Sequence, residues 1–236
     1  MFRDSLEAGA RAVAAHFDHV LSDAADLPVL HAMRYATTGG KGLRGWLVLE
    51  GARCALVPYR PEHVARYHEW MEDAALREAT ASERLSREEE EAMQREWAAD
   101  EKKCTFIMLD RGRPDTPGTG AHGGGMAGDV NFFLNDRDDP SAAEVEVMVA
   151  EPASRRKGLA REALGMFLAW GRAELGLTRF VAKIGLGNAP SRALFESIGF
   201  SIKEVCEAFE EVHMELDCKG ALPSSPPYTC RSYDTA

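Results

Sequence analysis

The sequence predicts an α+β fold, in which a mixed, mostly antiparallel sheet of about six or seven strands is flanked by about four helices. Valines alternate with polar or longer residues from Val145 to Val149, as in a partly buried strand. After Pro152 the period changes, and apolar residues recur on one helical face from Leu159 to Leu168. A second strand and helix follow between Phe180 and Gly199. Strand and helix therefore alternate through this part of the chain.

Residues 1–50 differ from the rest. Residues 5–21 are alanine-rich and predict a helix, residues 23–28 form a break, and residues 29–35 begin a second helix. Residues 37–45 are rich in glycine, but their spacing is not that of a Walker loop. We predict that residues 1–50 form a poorly anchored helical extension.

A short strand over residues 52–58 leads into an amphipathic helix. Four of its residues share one side: Val64, Tyr67, Trp70 and Met71. Ser86 and Glu89 form a capping-box pattern that starts another helix. The glutamate run at residues 88–91 is interpreted as a solvated face.

Strands are predicted at residues 104–110 and 126–134, joined by a flexible loop rich in glycine and proline. Further strands are predicted at residues 201–206 and 209–216. Residues 218–236 contain a Pro-Ser-Ser-Pro-Pro segment and no periodicity, so we expect a disordered tail.

The chain has 236 residues and a net charge of -10, which disfavours a nucleic-acid partner. No apolar run approaches the roughly 20 residues of a membrane span, so we expect no membrane association. The five cysteines are scattered and odd in number, which favours free thiols in a reducing compartment, and we expect a cytoplasmic protein. Histidines and cysteines lack metal-ligand spacing, so no metal is expected.

The turn between Val149 and the following helix is the main candidate site. A helix that begins near Gly158 directs its free backbone N–H groups, and the positive end of its dipole, into the turn. Gly158 lets the backbone approach a ligand closely. Three cations, Arg155, Arg156 and Lys157, add positive charge. The segment from Arg155 to Ala160 therefore predicts a phosphate site.

The order strand, Arg-x-x-Gly-x-Ala helix, strand, Asn-led helix, Gly-Phe and strand resembles the acyl-CoA-binding core of the GNAT acetyltransferase superfamily. Segments at residues 56–59, 63–71, 80–83, 104–107, 128–131 and 182–188 narrow the resemblance to the N-acetyltransferase 9-like proteins. The match covers about residues 51–216 and implies a GNAT fold, so we predict an acetyltransferase domain at residues 51–217. Separately, residues 37–45 resemble the N-terminal end of polyprenyl diphosphate synthases. The chain lacks that family's Asp-Asp-x-x-Asp motif, so prenyl transfer is not expected.

The GNAT resemblance implies where acetyl-CoA binds. In the superfamily, backbone amides at the bulged end of the fourth strand meet the pantetheine arm and thioester, which corresponds to Met148 and Val149. The pyrophosphate corresponds to the turn. The residues implied there are Arg155, Arg156, Lys157, Gly158, Leu159 and Ala160. On the second helix, Asn188 and Ser191 match polar residues that contact the cofactor.

Transfer to an amine needs a proton acceptor. Glu144 and Glu146 lie two residues apart on one strand face, so either carboxylate could serve. Glu144 ranks first, because its separation from Arg155 matches the glutamate of histone-acetylating members. The alternative is that both carboxylates only face solvent. Many members also place a tyrosine on the Asn-led helix to protonate the leaving thiolate, and this chain has Phe195 there.

A protein or peptide amine is the expected acceptor. An α-amine has a pKa of about 7.7–8.0, against about 10.4 for lysine, so a weak base suffices for it, and N-terminal acetylation is favoured. Candidate acceptor-facing residues are Tyr59, Thr80, Ser82 and Glu83; Thr80 and Ser82 could instead cap helices. The alternative function is a catalytically quiet GNAT-fold protein that binds a partner.

Overall fold

The computed structural model describes residues 47–220, 222 and 226–233, and the predictions for residues 1–46 lie outside this range. The nine strands of the described residues are β1 (Leu47–Glu50), β2 (Cys54–Pro58), β3 (Lys103–Asp110), β4 (Gly125–Phe133), β5 (Ala142–Val149), β6 (Arg179–Gly185), β7 (Ser201–Cys206), β8 (Glu211–Asp217) and β9 (Thr229–Ser232). They form one sheet with the order β7-β8-β6-β5-β4-β3-β2-β1-β9. Only the β5–β6 pair is parallel among the described strand pairs. The mixed, mostly antiparallel sheet is as predicted.

Five α-helices flank the described sheet. They are α1 (Val64–Met71), α2 (Ala74–Ala79), α3 (Arg87–Ala99), α4 (Leu159–Leu175) and α5 (Ala189–Ile198). Short 3-10 turns at Pro61–His63 and Pro152–Ser154 precede α1 and α4. Residues of α1 pack on one face of the sheet, and residues of α4 and α5 pack on the other.

The two faces bury separate apolar clusters. On the α4 face, aromatic rings stack through the sheet and helix, with Phe132 and Phe167 centroids 3.7 Å apart and Phe167 and Trp170 centroids 5.9 Å apart. On the α1 face, the four predicted apolar residues of that helix are all buried. Because apolar burial stabilises in proportion to area, both helix layers are fixed on the sheet by their apolar faces.

The predicted capping box at the start of α3 is confirmed. The Glu89 backbone N–H donates to Ser86 Oγ over 3.3 Å, and the Ser86 N–H donates to Glu89 Oε2 over 2.7 Å. The interpretation of residues 88–91 as a solvated face is wrong for Glu90, which is 1% exposed. This carboxyl lies 3.8 Å from His68 Nδ1, and burial raises its pKa.

Strands β5 and β6 separate towards their C-terminal ends. Their pairing covers only residues 142–144 and 179–181. On its outer side β5 pairs with β4 up to Val149, and β6 pairs with β8 up to Gly185. Each strand is therefore held by its outer neighbour, and a gap opens between their inner edges.

Two expectations about the chain ends are wrong. Strand β9 lies within the predicted disordered tail, and it pairs along all four residues of β1. Strand β1 precedes the predicted domain boundary at residue 51, and it pairs with β2 in the same sheet. The folded unit thus includes Leu47–Glu50 and part of the C-terminal segment.

Tyr233 packs the end of the C-terminal segment against the rest of the fold. Its ring is 6% exposed and belongs to the α1-face cluster. It lies against the His122 ring, with the two ring centroids 4.1 Å apart. Its hydroxyl donates to Glu62 Oε1 over 2.8 Å. The C-terminal segment therefore covers β1 with both backbone pairing and side-chain packing.

Tyr233→Ala should lower the free energy of unfolding by about 2–4 kcal/mol, because it removes a buried aromatic ring. Tyr233→Phe keeps the ring and should cost about 1 kcal/mol for the lost hydrogen bond. Urea denaturation monitored by tryptophan fluorescence measures both. Equal stability of the alanine variant and the unchanged protein would show that the tail does not belong to the fold.

Candidate functional site

The candidate site lies where β5 and β6 end. Each strand leads into a helix: α4 begins at Leu159, and α5 begins at Ala189. Ligands of sheets with parallel strands bind outside the carboxyl ends of those strands, where helix N-termini converge. The separation of the two strands therefore places an open gap between two positive helix ends.

The predicted phosphate turn has the backbone that a ligand cradle requires. Gly158 is the N-cap of α4 with φ of 81°, a left-handed conformation that favours glycine. A Cβ built on it would meet no described atom within 4 Å, so the space in front of this backbone is open. Leu159 and Ala160 lie in the first helical turn, where N–H groups lack acceptors within the helix.

The buried carboxylate of Asp110 on β3 contacts two residues at the turn, Ser154 and Lys157. Asp110 is 2% exposed and accepts a hydrogen bond from Ser154 Oγ over 2.8 Å. Lys157 Nζ lies 3.4 Å from the same Asp110 oxygen. Sequence patterns did not single out Asp110 or Ser154, because they lie 44 residues apart and meet only in the fold. Their contact fixes the turn relative to β3.

The three cations of the turn differ in direction. Arg155 bends back to the end of β5, where Nε donates to Val149 O and Nη2 donates to Ala150 O, each over 2.9 Å. Arg156 is exposed and has φ of 62°. Lys157 lines a cavity of about 290 Å³ together with Gly158, Arg53, Arg161 and the carboxylate residue Glu162. Cations outnumber carboxylates in this open lining, which suits an anionic ligand.

On the second helix, Asn188 is the N-cap, and its Oδ1 accepts from the Ser191 N–H over 3.1 Å. Both residues are half-buried, at the helix end that follows β6. Phe195 is buried against Phe200, with ring centroids 4.9 Å apart. Phe195 is therefore a core residue that offers no proton.

The two candidate glutamates have different surroundings. Glu144 forms a 2.6 Å ion pair with Lys183 Nζ on β6. Glu146 makes no such pair among the described residues, and its side chain remains accessible to solvent. Desolvation by the surrounding protein nevertheless raises the pKa of Glu146 to about 7. A carboxyl with this pKa is partly ionised at neutral pH, as a general base requires.

A buried polar chain runs beside Glu146 on the same sheet face. The Tyr67 hydroxyl donates to Asp129 Oδ2 over 3.2 Å, and Asn131 Nδ2 donates to the same oxygen over 3.0 Å. Thr105 Oγ1 donates to Asn131 Oδ1 over 2.6 Å. Burial raises the pKa of Asp129 to about 6. Sequence analysis did not assign these residues a role, although polar residues alternating within a buried strand are the signal for such a chain.

The predicted acceptor-facing residues differ in burial, and the hydroxyls of Thr80 and Ser82 are hydrogen-bonded to each other over 2.9 Å. Tyr59 is buried beside Tyr67, with ring centroids 5.1 Å apart, and its hydroxyl has no partner in the described part of the chain. The Thr80 hydroxyl donates to Leu76 O over 3.0 Å at the end of α2, as a helix-capping residue does. Ser82 and Glu83 are exposed. Tyr59 belongs to the apolar cluster on the face that carries Glu146, and Leu76 of α2 packs against the same cluster.

The described residues form neither a metal site nor a membrane span. No group of three or more histidine, cysteine or acidic side chains is arranged to hold a metal ion. No described helix has the length and apolarity to cross a bilayer. The five cysteines are free.

Residues 53–201 match the acetyltransferase (GNAT) domain family. The chain is 47% identical to an N-acetyltransferase 9-like protein of Nematostella vectensis over 171 residues, which cover 72% of this chain and 86% of that protein. It is 46% identical to the alpha/beta-tubulin-N-acetyltransferase 9 of Mus musculus over 173 residues, which cover 72% of this chain and 70% of that protein.

Solved structures share the fold. An acetyltransferase of the GNAT family from Bacillus anthracis superposes with a TM-score of 0.59 and 16% identity, covering 72% of this chain and 98% of that chain. The spermidine N-acetyltransferase from Vibrio cholerae, in complex with CoA and spermine, gives a TM-score of 0.58 and 17% identity, covering 72% of this chain and 95% of that chain. The predicted fold class is confirmed by these likenesses.

Gly158→Glu should abolish coenzyme A binding measured by isothermal titration calorimetry. The substitution places a carboxylate in the open space before the helix N-terminus, where a phosphate would lie, and it forces an L-residue to a positive φ.

Gly176→Glu is the matched control. Gly176 ends the same helix with φ of 70° and equally open space, so it carries the same strain and charge away from the turn. Its affinity for coenzyme A should be unchanged. Equal affinities of the two variants would contradict the assignment of the turn.

Proposed function

The chain belongs to the GNAT acetyltransferase family and is an acetyl-CoA-dependent acetyltransferase. From this premise we propose that it acetylates a protein α-amine, and that the amine attacks the thioester of acetyl-CoA directly in a ternary complex. The observation that carries the proposal is the position of Glu146. It lies on β5, beyond the last residue that pairs with β6, and its carboxyl is accessible to solvent. A base at this point can receive a proton from an amine held in the gap.

Acetyl-CoA supplies an acetyl group activated as a thioester. We assign its phosphates to the turn from Arg155 to Ala160 and its pantetheine arm to the inner edge of β5 at Met148 and Val149. Asn188 and Ser191 would contact it from the α5 side. The open space before Gly158 and the free N–H groups of the first helical turn fit such a ligand.

The pKa of Glu146 supports an α-amine as the acceptor. With a pKa of about 7, this carboxylate is close to the range of an α-ammonium, about 7.7–8.0, so proton transfer between them is nearly balanced. A lysine ammonium, at about 10.4, would hold its proton more strongly by about three pKa units. The smaller pKa difference supports an N-terminal acceptor.

Release of the thiolate needs no acid from the protein. Phe195 has no hydroxyl. The thiol of coenzyme A, like that of cysteine, has a pKa of about 8.5, so its thiolate can leave without protonation or take a proton from water. The missing tyrosine thus removes one catalytic group without preventing turnover. The alternative, a quiet partner-binding protein, is an outcome of the test below.

Tubulin N-termini are the first acceptors to test, because three relatives are named for acetylation of α/β-tubulin. We expect acetylation of a peptide with a free tubulin N-terminus and a blocked lysine. The same peptide with a blocked N-terminus and a free lysine should react at least about 10-fold more slowly, judged by kcat/KM.

Mass spectrometry of the products locates the acetyl group. A faster reaction on the lysine peptide would exclude the α-amine preference. Tight coenzyme A binding with no turnover of either peptide, or of an N-terminal peptide library, would favour the partner-binding alternative.

Glu146→Gln should lower kcat by about 10²–10⁴-fold, because it removes the proton acceptor. In the unchanged enzyme, kcat/KM should fall as the pH drops through about 7, since the carboxylate is then protonated. Glu144→Gln removes the ion pair with Lys183 and should keep an acid limb, moved to lower pH because the Glu144 charge raises the pKa of Glu146. If Glu144→Gln abolishes the acid limb and Glu146→Gln retains it, then Glu144 is the base.

A further inference from the structure

Two buried groups of opposite charge, Asp129 on β4 and Lys103 on β3, lie on the sheet face that carries Glu146. Since our proposed function makes Glu146 the base, this inference rests on it: we propose that Asp129 and Lys103 are positioning residues, which together fix the proton-accepting state of Glu146. Neither residue needs to touch the acceptor. Their effect is exerted through the sheet.

The strand register defines the arrangement. Glu146 is paired with Asn131, and Asn131 is paired with Thr105, so the three lie in one row across the sheet. Asp129 is two residues from Asn131 in one direction, and Lys103 is two residues from Thr105 in the other. Because side chains alternate along a strand, all five residues share one face.

Asp129 is held rigidly. It is 2% exposed, and its Oδ2 accepts from both Tyr67 on α1 and Asn131 on β4. Asn131 is in turn oriented by Thr105. The carboxylate therefore has a fixed place next to the row that contains Glu146, and its negative charge opposes ionisation of Glu146.

Lys103 is held by aromatic rings. It is 6% exposed, and its ammonium lies 3.6 Å from the centroid of the Trp97 ring and 3.7 Å from that of Phe133. Burial lowers its pKa to about 8, and the nearby Glu146 and Asp129 carboxylates oppose that shift. At neutral pH it is a cation that favours ionised Glu146.

Charged groups from each neighbouring strand act on Glu146. Lys103 on β3 and Lys183 on β6 lower its pKa, while Asp129 on β4 and Glu144 on β5 raise it. Lys183 and Glu144 form an ion pair with each other. Their effects on Glu146 have opposite signs. Desolvation is the largest cause of the raised pKa of Glu146, and Lys103 and Asp129 are the buried charges that act on it beside this effect.

The test is a pH titration of the Glu146 carboxyl by ¹³C NMR in the full chain, with the signal assigned by its loss in Glu146→Gln. Lys103→Met keeps an apolar side chain between the rings and should raise the Glu146 midpoint by at least about 0.5 pH unit. Asp129→Asn should lower it by a similar amount. The acid limb of the kcat/KM profile should move in the same directions.

Lys102→Met is the matched control, since it removes the same charge from the exposed neighbouring residue. It should leave the midpoint in place. Midpoints that are unshifted, or that move the same way in both variants, would overturn the proposal. If Asp129→Asn does not unfold cooperatively, Lys103→Met alone decides: a raised midpoint supports the proposal, and an unchanged one refutes it. The titration requires no turnover, so absence of acetyl transfer would count against the proposed function and not against this inference.

Discussion

The incomplete pairing of β5 with β6 is the constraint on which the site depends. Beyond residues 144 and 181 the inner edges of the two strands have backbone groups that no described strand satisfies. Such groups bind water or a ligand with its own amides, because an unpaired backbone group is costly when dry. Along the separated part, β5 pairs with β4 up to Val149 and β6 pairs with β8 up to Gly185, so the gap is built into the sheet.

Close contact between β4 and β5 places the base and the buried chain side by side. A Cβ at Gly128 would lie 1.8 Å from Met148 O, so only glycine permits this approach. The next residue, Asp129, thereby comes to lie opposite Met148, one row from Glu146. The close backbone approach at Gly128 thus helps to place the Asp129 charge near Glu146.

The elements with clear periodicity were predictable from the sequence. The four buried positions of α1, the capping box of α3 and the strand-to-helix turn at Gly158 all depend on neighbours within a few residues. Strands β1 and β9 were missed, because each has only four residues and their pairing joins positions 47–50 to 229–232. Glu90 was misplaced for a similar reason, since a run of glutamates does not reveal which of them faces the core. Which of Glu144 and Glu146 is the better candidate base depends on Lys183, Lys103 and Asp129. These residues lie on other strands, and only strand pairing brings them near the glutamates.

A general base at neutral pH needs a pKa of about 7, and burial alone does not set the pKa of a carboxyl at this value. Desolvation raises the pKa of a carboxyl, and a fully desolvated one would be protonated at neutral pH and useless as a base. A lone nearby cation would have the reverse effect and would leave too weak a base to deprotonate an ammonium. In this protein Glu146 remains open to solvent, and an anion on β4 and a cation on β3 are buried on the same sheet face. Desolvation raises the pKa of Glu146 to about 7, the two buried charges act on it in opposite directions, and the rigid sheet holds them at fixed positions, which a flexible loop could not do.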